Sequence, residues 1–121
     1  MESHFLGIDH VGIVVKNLDE ATATYRDILG FKVSGDEVLE DRGLHVSFVE
    51  TGNSKLELIA PTREDSEVSR FLEKRGEGIH HICIEVRDIE ETVKEHGFIV
   101  DPLFAESATK YGTWIMPFKK L

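Results

Sequence analysis

From Ile8 to Val15 the chain alternates. Val11, Ile13 and Val15 fall on one side of an extended strand, and His10, Gly12 and Val14 on the other. The same pattern returns in Gly78-Ile79-His80-His81-Ile82-Cys83-Ile84-Glu85-Val86, where His81, Ile82, Ile84 and Val86 stand 71 positions after His10, Val11, Ile13 and Val15. Gly30-Phe31-Lys32-Val33 is echoed by Gly97-Phe98-Ile99-Val100 at an offset of 67. A second copy shorter by about one helical turn accounts for the change in offset. Two copies, rather than the three or more of a solenoid, imply a pseudo-symmetric pair sharing one core.

Between these landmarks the pattern predicts the remaining elements. Asn17-Leu18-Asp19 is a turn and cap, with Asp19 as N-cap of a helix whose apolar stripe is Ala21, Tyr25, Ile28 and Leu29 and whose end is Gly30. Extended structure resumes at Phe31–Val33 and reaches Leu39 through a turn at Ser34-Gly35-Asp36. Leu44–Glu50 alternates again, Thr51-Gly52-Asn53-Ser54 is a hairpin turn, and Lys55–Ile59 follows as a strand with Leu56 and Leu58 opposite Glu57. Pro61–Ser66 is polar and connects to a short helix over Glu67–Lys74 with Val68, Phe71 and Leu72 inward. After the second histidine strand come a helix over 89–96, a strand over 98–103 and a third strand over Tyr111–Met116. The repeat calls for a fourth strand after that, and only Pro117–Leu121 follows. The expected fold is α+β: two βαβββ modules, about 7–60 and 78–121, the second lacking its last strand, joined by a 61–77 linker carrying the short helix.

Composition narrows the class. A chain of 121 residues with 40% hydrophobic and 31% charged residues buries a core of ordinary size as a single domain. No apolar run approaches the ~20 residues of a membrane-spanning helix, and Met1–His4 has no signal-peptide pattern, so the expected setting is cytoplasmic, with no membrane partner. A net charge of −9 argues against nucleic acid. It leaves room for an anionic small molecule, which Lys55, Arg63, Arg70, Lys74 or Arg75 could serve. The single cysteine, Cys83, excludes an internal disulfide and, among apolar strand neighbours, reads as a small buried hydrophobe.

His10 and His81 each stand opposite the regular apolar stripe of their strand, at equivalent positions of the repeat, and Glu57 is the lone carboxylate between Leu56 and Leu58. Two imidazoles and one carboxylate form a donor set for a divalent ion. His80 falls on the Ile82 and Ile84 side, and His4, His45 and His96 have no repeat partner.

Ile8-Asp9-His10-Val11-Gly12-Ile13, Gly52–Leu58 and Gly78–Val86, together with Ser66–Gly76, resemble the methylmalonyl-CoA epimerases of the vicinal oxygen chelate (glyoxalase/bleomycin resistance/dioxygenase) superfamily. That resemblance runs from about Ile8 to Val100. It implies a U-shaped, incompletely closed mixed sheet with helices outside, a homodimer, and a divalent metal (Co, Mn, Ni or Zn) held by His10, Glu57 and His81. It also implies a reaction, epimerisation of methylmalonyl-CoA or a similar acyl-CoA by proton abstraction and enolate stabilisation. Two family features have no counterpart here. The fourth ligand, a glutamate in the last strand of the second module, has no matching residue, and the strand position of the family's proton-transfer base is taken by Val46. The catalytic bases are therefore unassigned. A catalytically impaired glyoxalase-fold binding protein and a glyoxalase I-like lyase are the competing readings.

Overall fold

The computed structural model describes residues 5–88, 91 and 113–117. Apart from residue 91, the helix expected over 89–96 lies outside the described residues, as do the strand over 98–103 with the Gly97–Val100 echo, His4, His96 and the chain after 117. The chain divides into two compact units. One is Gly12–His80, and the other joins Met1–Val11 to His81–Leu121. Strand β1 (Phe5–Val14) contributes to both.

Within the 12–80 unit the elements run α1 (Leu18–Ala23), β2 (Lys32–Leu39), β3 (Leu44–Glu50), β4 (Lys55–Pro61) and α2 (Glu67–Arg75). The strand order is β2-β3-β4-β1, with β2/β3 and β3/β4 antiparallel. The Val15 amide donates to the Ile59 carbonyl at 2.8 Å, which ties the end of β1 to β4. The core is the face of this sheet that α1 covers: Val15, Leu18, Val49, Leu58 and Ala60 are buried together, with Ile13, Ala21, Tyr25, Phe31 and Leu56 packed on them. Beneath the helix the Thr22 and Ser47 hydroxyls pair at 2.8 Å. That bond satisfies two polar groups that burial would otherwise leave without water. Because strand side chains alternate, Leu56 and Leu58 on this face put Glu57 on the other.

Helix α1 begins earlier than the expected Asp19 cap. Asn17 is the N-cap, its side-chain oxygen accepting from the Glu20 amide at 3.0 Å, and this start turns Leu18 inward at 4% exposure. The helix then widens into a π turn over Thr24–Ile28, with the Leu29 amide bonded to the Thr24 carbonyl. The inserted residue rotates the stripe by about 100°. Ile28 and Leu29, expected inside, are 77% and 56% exposed. Gly30 ends the segment at φ 76°, as expected of a left-handed C-terminal residue.

Strand β2 is continuous where a turn was expected at Ser34–Asp36. Its register against β3 shifts between Val33 and Gly35, so Ser34 is accommodated as a bulge. Helix α2 matches its expected span, capped by Ser66, whose hydroxyl accepts from the Val68 amide at 3.2 Å. Val68 is buried, and Phe71 meets His80 edge to face at 5.1 Å between ring centroids. His80 is thereby engaged as a packing residue.

The other unit has the order β1-β5-β6, with β5 (Gly78–Val86) antiparallel to β6 (Thr113–Pro117) and His81 opposite Pro117. The sixth strand overlaps the expected Tyr111–Met116 segment. Among the described residues no helix is long and apolar enough to cross a membrane.

Candidate metal centre

On β1 the buried side is the histidine side. His10, Gly12 and Val14 are buried while Val11 and Ile13 are half-buried. Strand β5 repeats this, with His81 at 4% and Cys83 at 0% exposure. The pattern put each histidine opposite its strand's regular apolar stripe, Val11, Ile13 and Val15 in β1 and Ile82, Ile84 and Val86 in β5. The burial instead shows that each strand carries its imidazole into protein interior.

The unit of 5–11 and 81–88 brings the two histidines together. Their Nε2 atoms are 3.4 Å apart, and the rings meet at 86° with centroids 5.4 Å apart. His10 is further fixed by Asp9, whose Oδ2 lies 2.8 Å from Nδ1. A carboxylate there accepts a hydrogen bond from Nδ1–H, and in the neutral ring that tautomer leaves the Nε2 lone pair open on the His81 side. A separation of 3.4 Å lies beyond the usual range of an N–H hydrogen bond. It is, however, the span of two nitrogens each about 2.1 Å from a shared ion at a tetrahedral angle. The donor set and its spacing fit a divalent metal. Cys83 is the fully buried thiol on the same β5 face, its Sγ within 4.8 Å of the ligating atoms of His10 and Asp9.

Asp9 escaped the sequence pattern because neighbours in a strand point to opposite faces. Its carboxylate nevertheless comes within 2.8 Å of His10 Nδ1. Its only sequence signal is an acid immediately before the repeated histidine.

Glu57 belongs to the 12–80 unit, at 2% exposure in the centre of β4 and directly across from Phe48. Val46 in β3, the position to which the sequence resemblance assigns a proton-transfer base, is 3% exposed and apolar. Of the cations expected to serve an anion, Arg63 is committed elsewhere. Its guanidinium donates to the Glu40 and Asp41 carbonyls and to Asp65, clamping the turn before β3. His45 bonds Asp36 at 2.8 Å.

Residues 9–101 match the Glyoxalase/Bleomycin resistance protein/Dioxygenase superfamily. The chain belongs to that superfamily. Within it, the chain is 43% identical to the ethylmalonyl-CoA/methylmalonyl-CoA epimerase of Cereibacter sphaeroides over 74% of its own length and 70% of that protein's. It is 44% identical to the mitochondrial methylmalonyl-CoA epimerase of Homo sapiens over 73% of its own length and 51% of that protein's. The chain thus spans about half the length of the human and mouse epimerases it matches. Among solved structures it resembles a variant of Streptomyces coelicolor methylmalonyl-CoA epimerase in complex with 2-nitronate-propionyl-CoA, at 37% identity, TM-score 0.67, and coverage of 75% of this chain and 69% of that one. This membership agrees with the α+β reading of the two histidine strands.

Proposed function

We propose that this superfamily member is a divalent-metal-dependent epimerase of methylmalonyl-CoA or a closely similar acyl-CoA, with His10, Glu57 and His81 as metal ligands. The observation that carries the reading is the buried His10–His81 pair with Asp9 behind it, in a chain whose relatives are named as methylmalonyl-CoA epimerases. Glu57 supports it because a carboxylate at 2% exposure is retained where positive charge compensates its burial. Acyl-CoA as the substrate class is supported by the analogue complex of the Streptomyces relative. A homodimer belongs to the same reading.

His10 and His81 would each offer Nε2, and Glu57 a carboxylate oxygen. Asp9 holds the His10 ring in the tautomer that leaves Nε2 available. A divalent ion held by this set supplies Lewis-acid stabilisation of the negative charge that develops when the proton leaves the carbon between two carbonyl groups. Phe48, directly across β3/β4 from Glu57, contributes an apolar neighbour on the same sheet face.

The second reading, a binding protein that has lost the reaction, is favoured by one observation: the buried, apolar Val46 where the family places a proton-transfer base. Metal analysis of the purified protein, followed by deuterium incorporation at the acidic carbon of methylmalonyl-CoA in heavy water, separates the two. Metal with exchange is the expected result. Metal without exchange favours the binding protein, and a metal-free protein that stays metal-free in excess zinc or cobalt overturns the ligand set.

A further inference from the structure

The face of β2, β3 and β4 opposite α1 is laid out in cross-strand rows. Gly35, Phe48 and Glu57 form one row, and Lys32, Glu50 and Lys55 form the next, about 7 Å along the strands. Among the described lysines, Lys16, Lys32 and Lys74 are exposed, and Lys55 alone is half-buried. Glu50, directly across from it, would be the natural ion-pair partner. That carboxylate is instead engaged by the Ser34 hydroxyl at 2.7 Å, donated from the bulge in β2.

No carboxylate among the described residues comes within ion-pairing distance of Lys55. Its Nζ lies 5.8 Å from the centroid of the Phe48 ring. The ammonium therefore leans from its own row over the row that holds Glu57. An aromatic face holds a cation without neutralising it. In a chain of net charge −9, a half-buried cation kept clear of carboxylates and aimed along the Glu57 face is a local attractor for an anion.

We propose that Lys55 is a specificity residue that binds an anionic oxygen of the acyl-CoA, either a phosphate of the CoA moiety or the free carboxylate of the acyl group. This rests on the acyl-CoA reading above and adds the residue that recognises the charge. Lys55 donates its ammonium hydrogens to the anion, and Phe48 sets the height of the ammonium above the sheet.

The test compares the wild-type protein with Lys55→Met, which keeps the apolar stem over Phe48, and Lys55→Arg, which keeps the charge. Binding of unreactive free CoA is measured by calorimetry, and KM and kcat are measured for methylmalonyl-CoA and for methylmalonyl-pantetheine, which lacks the phosphates. A phosphate contact predicts that Lys55→Met weakens free CoA and raises KM for the CoA ester about tenfold or more. Under that contact kcat stays within about threefold, the pantetheine ester is unaffected, and the loss shrinks as salt is raised. An acyl-carboxylate contact predicts an equal KM rise for both esters and unchanged binding of free CoA. In either case Lys55→Arg recovers most of the loss. Unchanged CoA affinity together with unchanged KM for both esters overturns the proposal while leaving the epimerase reading intact. A wild-type protein that neither binds CoA nor turns over either ester overturns both.

Discussion

Replacing Asp9 isolates what a carboxylate behind a ligating histidine contributes. Its Oδ2 lies 2.8 Å from His10 Nδ1, and the His10 side chain is 4% exposed against 26% for Asp9, so the contact is largely shielded from water. Loss of such an outer partner weakens metal affinity by about 10- to 100-fold. At about 1.4 kcal/mol per tenfold, that is roughly 1.4 to 2.8 kcal/mol of binding free energy. Asp9→Ala should fall toward the larger loss, because the ring is released as well as made less basic. Asp9→Asn, which keeps an acceptor oxygen without its charge, should fall toward the smaller.

Two measurements at fixed pH check this. Calorimetric titration of the metal-free protein with zinc or cobalt gives the affinities directly. Unfolding with and without metal gives the linked stability: at a metal concentration about 100 times the wild-type Kd the stabilisation is about 2.7 kcal/mol, and it falls to about 1.4 or 0.4 kcal/mol for a tenfold or hundredfold weaker site. Equal affinities for wild type and Asp9→Ala would refute the role given to Asp9. Unchanged metal binding by both His10→Ala and His81→Ala would refute the site itself.

The remaining predictions concern the 12–80 unit. Leu58→Ala, at a side chain with 0% exposure in the core under α1, should cost about 2 to 5 kcal/mol in urea unfolding. Ser47→Ala and Thr22→Val each leave one buried hydroxyl without its partner and should cost about 1 to 3 kcal/mol, with the double variant losing less than the two singles together. Gly43→Ala places a methyl 2.9 Å from Arg63 Cγ at a backbone φ of 66°, so it should destabilise by more than about 1 kcal/mol. Adding Arg63→Ala to Gly43→Ala should recover only the part due to the clash, as seen in thermal unfolding of the four proteins of the cycle.

The strands were legible because their alternation survives in the fold, and helix α2 because its cap and apolar spacing agree. What escaped was local departure from regular period. Ile28 and Leu29 continue a 3.6-residue stripe on paper, yet one extra residue in the π turn carries both to solvent. Ser34-Gly35-Asp36 has the residue types of a turn, but the pairing of Asp36 with Ser47 and Glu37 with Val46 keeps β2 extended and confines the irregularity to one bulge. Neither event changes hydropathy, so neither leaves a mark in it. Composition likewise named Arg63 as a cation available to a ligand, when its guanidinium is spent on two carbonyls and Asp65.

The candidate site was legible for a different reason. A single histidine in a strand says little, but His10 and His81 stand at matching places of a sequence pattern that recurs 71 positions on, and β1 and β5 are sheet neighbours. Positions on neighbouring strands of one sheet can come close, and the two Nε2 atoms lie 3.4 Å apart. Two imidazoles at 4% exposure or less, with their Nε2 atoms 3.4 Å apart, have the spacing of two ligands to one tetrahedral cation. The burial of both histidine faces, rather than the identity of the residues alone, is what turns a repeated letter into a chemical proposal.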